Sequence, residues 1–313
     1  MDPISHALIG AAVSAAGQNS VSLSNPVIMA ATLGSVIPDG DFILQIWGDS
    51  FYLKHHRGAS HSLIGIVFEA LGIAFMMKVF NHDVSFFSML IWAFIGAMTH
   101  IIADVFNSYG AKIFWPFSNK KNSLSLFTLA DPVIIILSVV SILDSYNKWG
   151  YNGYVLILFI LYIGSKVFMR ILGHSLLKKK FAGMYEIERI NILPSMVAGY
   201  KLHYIVEGPL YKIVGEIDFL FRRIKIIDTL KRIDTKTREF ILRSKSAEFF
   251  KEFTPIFHIE LEKVNDGYKA MLTDLRYMFK NNFLHHATIN YDENMVILSE
   301  KFNPYNMNKQ LDI

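Results

Sequence analysis

The hydrophobic positions of this chain form long runs in its first half and short alternating segments in its second half. Residues 63–80 and 84–106 are apolar runs of membrane-helix length, and a second pair covers 153–172 and 132–143 with its flanks. A membrane helix needs about 20 mostly apolar residues, and tilt accommodates modest departures from that length. The pattern therefore predicts about four membrane spans.

Two shorter apolar segments, residues 5–16 and 27–37, precede these spans and are separated by a polar turn. Neither reaches the length of a membrane span, so we expect a helical hairpin that is buried among other helices or dips part-way into the bilayer. The two ends of a hairpin return to the same side. This places His6 near Asp39 and Asp41.

From residue 181 onward the pattern alternates, which predicts antiparallel strands over residues 200–207, 211–219, 256–264, 268–278, 288–291 and 295–302. Asn265-Asp266-Gly267 is a strong hairpin signal. Residues 235–253 read as an amphipathic helix that packs on the sheet, and His285 and His286 are expected at the surface or in a turn. We predict an α-helical polytopic membrane domain, residues 1–175, followed by a small α+β, mostly antiparallel-sheet, soluble domain, residues 181–313.

Composition supports this division. The 313 residues have a mean hydropathy of +0.32 and no cysteine, so any metal site must use nitrogen and oxygen ligands. Residues 1–173 carry nine Lys/Arg and nine Asp/Glu, whereas residues 174–313 carry 22 and 18. The positive-inside rule places the amino end, the loop between the second and third spans, and the carboxyl half in the cytoplasm. Charge in the carboxyl half is too evenly mixed to predict nucleic-acid binding.

Ionisable side chains interrupt one of the apolar runs, in the stretch GAMTHIIADVFNSYGAKIFWP at residues 96–116. On a helix, His100 and Asp104 lie on one face, where an imidazole and a carboxylate can reach one metal ion. Each ionisable group at membrane depth costs on the order of 2.5–3.5 kcal/mol, which favours a functional role. The alternative is a buried His–Asp hydrogen bond that joins two helices.

Other histidines and carboxylates fall at the same predicted leaflet, and we take seven side chains as candidate metal ligands: His6, Asp39, Asp41, His56, His61, His100 and Asp104. This donor set suits zinc, and also manganese or iron, better than calcium or magnesium. Seven ligands exceed one tetrahedral site and indicate two or more ions. Arg57 is the candidate anion binder and, with Asp39, a candidate catalytic residue. Taken singly, each of these residues also has a structural explanation as a helix cap, turn or interfacial residue.

Four motifs in order resemble the YdjM-like family of predicted inner-membrane metal-dependent hydrolases: SHALIG at 5–10, PDGD at 38–41, HRGASHS at 56–62 and GAMTHIIADVFNSYGAKIFWPFS at 96–118. LPSMVAGY at 193–200 and DLRY at 274–277 resemble the carboxyl domain of the family's YfhP-type branch. The resemblance implies the same seven metal positions and a predicted hydrolase, with a relation to zinc-dependent phospholipase C and single-strand nuclease sites. It implies no particular substrate.

These observations predict a multi-pass enzyme of the inner or plasma membrane that cleaves a phosphoester or ester of a lipid-type substrate by metal-activated water, with the site and the carboxyl domain facing the cytoplasm. Its expected partners are membrane lipid and the lipid-like substrate, not nucleic acid. A non-enzymatic regulator with a structural metal is the alternative. An ion transporter is disfavoured, because the outer halves of the spans carry almost no ionisable residues.

Overall fold

The computed structural model describes residues 1–18, 22, 24–196, 198–264, 266–279, 282–303 and 311–312. The chain forms two compact units: the first comprises Met1–Leu44 and His55–Val167, and the second Gln45–Lys54 and Phe168–Ile313. The change of unit falls inside one long helix, close to the predicted boundary at residues 175–181. That predicted domain division stays a prediction.

The first half of the chain is helical, with these elements in order: α1 (Pro3–Ala16), α2 (Pro26–Val36), a 3₁₀ segment (Ile37–Trp47), α3 (Asp49–His55), α4 (Leu63–Phe80), α5 (Phe86–Phe106), α6 (Pro132–Asn147) and α7 (Asn152–Phe181). Asp2, Asn25, Ser62 and Asp131 cap their helices by accepting hydrogen bonds from backbone N–H groups of the first turn. The two predicted segments of the amino-terminal hairpin are therefore both helices.

Four helical runs in the described part of the chain are long and apolar enough to cross a membrane: Pro26–Trp47, Leu63–Phe80, Phe86–Phe106 and Asn152–Phe181. The number of candidate spans agrees with the prediction, but one member differs. Pro38 has no amide N–H, so α2 ends at Val36, yet the chain continues as 3₁₀ helix to Trp47 and the combined run reaches 22 residues. By contrast, α6, which contains the predicted third span, has only 16 residues.

Helices α2 and α5 are packed with their backbones almost in contact. A Cβ atom added at Gly96 would lie 1.9 Å from the carbonyl oxygen of Ala31, and one added at Gly34 would lie 2.1 Å from that of Ala93. Only glycine allows this approach from both sides. Since α5 carries His100 and Asp104 and α2 leads into Asp39, the two glycines set the spacing of the candidate site.

The second unit contains two antiparallel sheets and two short helices. The first sheet is a meander of β1 (Arg189–Pro194), β2 (Lys201–Glu207), β3 (Tyr211–Asp218) and β4 (Arg223–Lys231). Next come α8 (Thr235–Ile241), α9 (Lys245–Phe253), β5 (Phe257–Val264), β6 (Gly267–Asp274), the short pair β7 (Met278–Phe279) and β8 (Asn282–Phe283), then β9 (His286–Tyr291), β10 (Ile297–Asn303) and β11 (Leu311–Asp312). The five-stranded sheet has the order β11-β10-β9-β6-β5.

The predicted fold class is confirmed for both halves, with three local differences. The strands β1, β4, β8 and β11 lie outside the segments predicted as strands. The single helix expected at residues 235–253 is two helices: α8 ends at Ile241, and Ser244 caps α9 by accepting a hydrogen bond from Ala247 N. His285 and His286 are buried rather than at the surface, and His286 begins β9. The hairpin between β5 and β6 forms as expected, although Asn265 lies outside the described residues.

Each sheet has its own apolar packing. The carboxyl end of α7 buries Leu177 and Phe181 against the first sheet, next to Tyr204 and Ile217. A second cluster joins that sheet to the turn region after β6 and includes Leu193, Ile205, Val214, Leu275 and Met278. α9 places Phe249, Phe250 and Phe253 around Phe302 of β10. These aromatic contacts confirm that the amphipathic face of the predicted helix packs on the sheet.

Candidate metal site

The candidate site lies within the first unit, where three polypeptide segments meet. The 3₁₀ segment after α2 supplies Asp39, the loop between α3 and α4 supplies His61, and one face of α5 supplies His100 and Asp104. One nitrogen or carboxylate oxygen from each of these four side chains lies within 4.8 Å of the other three. This buried cluster of aspartates and histidines could hold a metal ion.

The distances within the cluster are short enough for shared ligation. His61 Nε2 lies 3.0 Å from His100 Nε2, 3.3 Å from Asp39 Oδ1 and 3.5 Å from Asp104 Oδ2. His100 Nε2 lies 3.6 Å from Asp39 Oδ1 and 3.8 Å from Asp104 Oδ2. The side chains of His61, His100 and Asp104 are fully buried, whereas that of Asp39 is 14% exposed. Asp39 therefore marks the open side of the cluster.

Hydrogen bonds outside the cluster determine which nitrogen of each imidazole carries its proton. His100 Nδ1 lies 2.8 Å from the carbonyl oxygen of Ser35, so it must be the donor. Ser60 Oγ donates to Asp41 Oδ2 at 3.1 Å and therefore accepts from His61 Nδ1 at 2.9 Å. Both neutral imidazoles then direct the lone pair of Nε2 at each other, which is repulsive unless a cation lies between them.

Asp41 is occupied in organising the loop that carries His61. Its carboxylate accepts from His56 Nδ1 at 2.8 Å, from the backbone N–H of Arg57 at 3.2 Å and from Ser60. The distance from Asp41 Oδ2 to His61 Nδ1 is 3.8 Å, too long for a direct hydrogen bond. Burial lowers the pKa of His56 and outweighs the opposing effect of Asp41, which favours a neutral imidazole at that position.

Arg57 reaches the cluster from the same loop, with a left-handed backbone conformation at φ +61°. Its side chain is 6% exposed, and Nε lies 3.1 Å from Asp104 Oδ2. Nη1 donates to Asn107 Oδ1 at 3.3 Å, and the guanidinium lies 5.1 Å from the centre of the Tyr109 ring. Arg57, the candidate anion binder, is therefore held beside the candidate metal ligands by its contacts with Asn107 and Tyr109 after α5.

His6 lies beside the cluster rather than within it. Its ring stacks on that of His100 with centroids 3.7 Å apart, and its Nε2 lies 3.4 Å from Asp104 Oδ1 and 2.9 Å from the backbone nitrogen of Met1. The Met1 nitrogen also contacts Asp104 Oδ1. His6 Nδ1 is buried and accepts or donates no hydrogen bond to a described residue. The two oxygens of Asp104 therefore face different histidines.

Of the seven predicted ligands, the structure brings Asp39, His61, His100 and Asp104 into one group and places His6, Asp41 and His56 next to it. Assignment of all seven as ligands, and of Arg57 and Asp39 as catalytic residues, stays a prediction. Sequence reasoning missed four groups around the site: the Ser35 carbonyl, the Ser60 hydroxyl, the Asn107 side chain and Glu69.

The sequence carries a signal for some of these four groups and none for others. Ser60 stands one residue before His61 and Asn107 three residues after Asp104, so motif spacing could have indicated both. The Ser35 carbonyl carries no side-chain signal. Glu69, the acidic residue of α4, lies close enough to Asp41 for the two carboxylates to interact, and its buried Oε2 has no hydrogen-bond donor among the described residues.

The charge of the group also suits a divalent cation. With neutral histidines, the aspartates at positions 39, 41 and 104 and the guanidinium of Arg57 leave a formal side-chain charge of −2, which the Met1 ammonium in contact with Asp104 Oδ1 reduces to −1. Asp104 Oδ2 is buried and accepts no hydrogen bond of good geometry from a described residue, although Arg57 Nε and His61 Nε2 are close to it. Nitrogen and oxygen donors, unbalanced negative charge and an orphaned carboxylate oxygen together fit a bound metal.

Comparison with known proteins agrees with a membrane half followed by an α/β half of the chain. Residues 239–312 match the family described as the YfhP C-terminal alpha/beta plait domain. The uncharacterized protein YfhP of Bacillus subtilis (strain 168) is 26% identical over 284 residues, which cover 89% of this chain and 85% of the relative. No solved structure matches the chain. Residues 1–173 match the family described as YdjM inner membrane protein, and with more than half of its length matched the chain belongs to that family of membrane proteins.

Proposed function

We propose that this protein is a metal-dependent hydrolase of the membrane that cleaves a phosphoester or ester of a lipid-type substrate. The observation that carries the proposal is the convergence of His61 Nε2, His100 Nε2, Asp39 Oδ1 and Asp104 Oδ2, all acceptors, within 4.8 Å of one another. Asp39, His61, His100 and Asp104 would hold the ion. When bound, a divalent metal supplies Lewis acidity and makes water a usable nucleophile near neutral pH.

The remaining residues of the site orient the ligands. Ser60 and the Ser35 carbonyl hold the two imidazoles with Nε2 toward the cluster, and Asp41 holds Ser60 and the adjacent loop. Such partners raise the basicity of the ligating nitrogen and commonly change metal affinity by about 10–100-fold when removed. His6 Nε2 and Asp104 Oδ1 form a second pair of donors beside the first, which is the basis for proposing more than one ion.

Arg57 supplies positive charge where a substrate oxygen would become negative. Its guanidinium is held by Asp104 and Asn107, so it is ordered before a substrate arrives. A fixed charge in a buried site stabilises developing negative charge without reorganisation, and loss of one such donor costs about 10²–10³ in rate in well-studied enzymes. Asp39, on the open side, is the carboxylate best placed to meet water or substrate.

The surroundings favour a substrate with an apolar part. A groove of 590 Å³ is lined by α1 and α2, with Ile142 of α6, and its lining includes Ile4, Leu8, Met29 and Leu33. Its lining also includes Pro3 and Val36, which are three residues from His6 and from Asp39 in the sequence. An acyl chain in this groove would bring its polar end toward the side of the cluster. The positive-inside rule puts that side, and the strand-rich domain, in the cytoplasm.

One observation favours the second candidate, a regulator that uses a structural metal. The side chains of His61, His100 and Asp104 are fully buried. This is expected for a closed ligand shell that joins α5 to the loop between α3 and α4 and to the 3₁₀ segment. Only the partial exposure of Asp39 leaves a position for a substrate. The two functions make different predictions for activity after metal loading.

The first experiment is elemental analysis of the detergent-purified protein beside His61→Gln, His100→Gln and Asp104→Asn, followed by hydrolysis assays on phospholipids and soluble phosphodiesters. His82→Gln is the matched control, because His82 is exposed in the loop between α4 and α5. We expect stoichiometric metal in the wild type and the control, and a large loss in the three site variants. Metal-dependent turnover that disappears in Arg57→Gln, with metal retained, supports the hydrolase.

Two results would count against the hydrolase. Stoichiometric metal with no turnover on any phosphoester or ester substrate would favour the structural-metal regulator. No metal in the wild type, even after dialysis against zinc, manganese or ferrous iron, would contradict both functions and leave a polar network that ties helices together.

A further inference from the structure

The second unit contains a polar cavity that the proposed function does not use. It has a volume of 230 Å³ and lies where the ends of β1, β2 and β3 meet α8 and the start of β5. Four cationic side chains line it, those of Arg189, Lys212, Arg232 and Arg238, together with His258 and a single carboxylate, Glu207.

The strand register explains why the charges converge. Arg189 pairs opposite Glu207, and Glu207 opposite Lys212, so the three side chains form one row across the first sheet. Lys212 Nζ then donates to the backbone carbonyl of Phe257 at 2.8 Å, which joins this row to β5 and brings His258 to the cavity. The arrangement is therefore built from two sheets and is more than a patch of surface lysines.

The single carboxylate is already occupied. Glu207 accepts from Asn191 Nδ2 at 2.8 Å and pairs with Lys212 Nζ at 2.9 Å. Arg232 Nη1 pairs with Glu188, which is outside the lining, and also donates to the carbonyl of Gly208, both at 2.7 Å. These contacts hold two of the four cations in place, and neither group uses all of its N–H donors in them.

The other two cations are exposed side chains. Arg189 and Arg238 form no salt bridge with a residue in the described part of the chain. His258 is 6% exposed, and its ring makes no hydrogen bond to a described protein atom. Like charges held around a cavity repel one another, so a ligand of opposite charge would stabilise the site.

We propose that this cavity binds a phosphate group, either free or as a phosphate monoester. Arginine guanidinium groups and a lysine ammonium are the donors that recognise phosphate oxygens, and a cavity below the roughly 300–1,000 Å³ of drug-sized pockets suits a small anion. The imidazole of His258 adds a further N–H toward the bound oxygens. The site does not depend on the metal cluster or on hydrolytic activity.

Electrostatics at His258 give an independent reporter of the ligand. Burial, together with the charges of Lys212 and Arg232, lowers the pKa of His258 to about 4, while Asp228 acts in the opposite direction. A bound phosphate offsets the two cations, so the pKa of His258 must rise. The same ligand raises the pKa of Lys212, which burial and the neighbouring Arg232 and Arg238 lower in the free protein.

The test is equilibrium dialysis of the full-length protein in detergent against radiolabelled inorganic phosphate, after EDTA treatment so that the metal cluster cannot contribute. Arg189→Gln/Arg238→Gln removes the two unpaired cations. Arg223→Gln/Arg243→Gln is the matched control, because it removes two exposed arginines of the same unit that do not line the cavity. We expect saturable binding in the wild type and the control, and at least about tenfold weaker binding in the first double variant.

The histidine NMR signals give the second measurement, with His258→Gln assigning the resonance. Saturating phosphate should move the titration of His258 to higher pH in the wild type. Nanodiscs with or without phosphatidic acid distinguish the source of the group: competition with phosphate identifies a lipid headgroup, and its absence identifies the free anion. Equal phosphate affinity in the two double variants, or an unchanged His258 titration, would overturn the proposal.

Discussion

Ser60→Ala tests whether hydrogen bonds outside the metal cluster set the ligand orientation. Ser60 Oγ lies 2.9 Å from His61 Nδ1 and 3.1 Å from Asp41 Oδ2, and it is not one of the four converging groups. Its removal leaves every candidate ligand in place. The substitution therefore separates orientation of the imidazole from loss of a metal donor.

The structure sets the expected size of the effect. Loss of a partner that orients a ligating histidine weakens metal binding by about 10–100-fold, or roughly 1.4–2.7 kcal/mol. We expect the lower end, because Asp41 Oδ2 is 3.8 Å from His61 Nδ1 and a small movement of the loop would allow a direct hydrogen bond to form. In the metal-free protein, the same substitution should cost about 0.5–1.5 kcal/mol of folding stability.

The assay is competition with a calibrated chelator in detergent, after EDTA treatment and reloading, with Ser165→Ala as the matched control. Ser165 is an exposed residue of α7 whose hydroxyl donates to the carbonyl of Tyr162. Ser60→Ala should bind the wild-type amount of metal at saturation with weaker affinity. If Ser60→Ala bound metal with wild-type affinity while His61→Gln bound none in the same assay, Ser60 would not orient the His61 imidazole. That result would refute the assignment of the proton to His61 Nδ1.

Two further predictions follow from close packing and from burial. Gly96→Ala places a methyl group 1.9 Å from the Ala31 carbonyl oxygen, so it should push α2 and α5 apart. We expect it to lower the free energy of unfolding by about 1–3 kcal/mol and to reduce metal binding. Gly72→Ala is the control: its methyl group meets no atom within 4 Å, so metal content and thermal unfolding should stay unchanged. Burial gives His258 a pKa of about 4 in the folded protein, below the value of about 6.5 in the unfolded chain. The folding stability that depends on its neutral form is therefore fully present above pH 6.5 and is lost progressively as the pH falls toward 4. In phosphate-free buffer, His258→Gln should remove on the order of 3 kcal/mol of that pH dependence, and an unchanged slope of unfolding free energy against pH would contradict the assignment.

Much of the fold follows from local pattern. The apolar runs at 63–80 and 84–106 predict helices within a few residues, because burial in a membrane imposes one requirement on every position of a span. The hairpin of β5 and β6 follows from alternation and a turn signal at its centre. By contrast, the candidate span predicted around residues 132–143 is a helix of only 16 residues, whereas Pro26–Trp47 reaches 22 residues. The second length depends on 3₁₀ helix continuing after Pro38, which the hydrophobic pattern does not indicate.

For the site, the sequence by itself determined the chemistry: which histidines and aspartates are present, that cysteine is absent, and that His100 and Asp104 share a helix face. Tertiary structure decided how these residues divide. It brought Asp39, His61, His100 and Asp104 within 4.8 Å, turned Asp41 toward the loop, and used the carbonyl of Ser35 as a partner for His100. The physical reason is that metal ligation and hydrogen-bond orientation depend on distances of a few ångströms between segments distant in sequence. In this protein the contact of Gly34 and Gly96 with the facing helix sets the approach of α2 to α5, and with it that of the segment carrying Asp39 to His100 and Asp104.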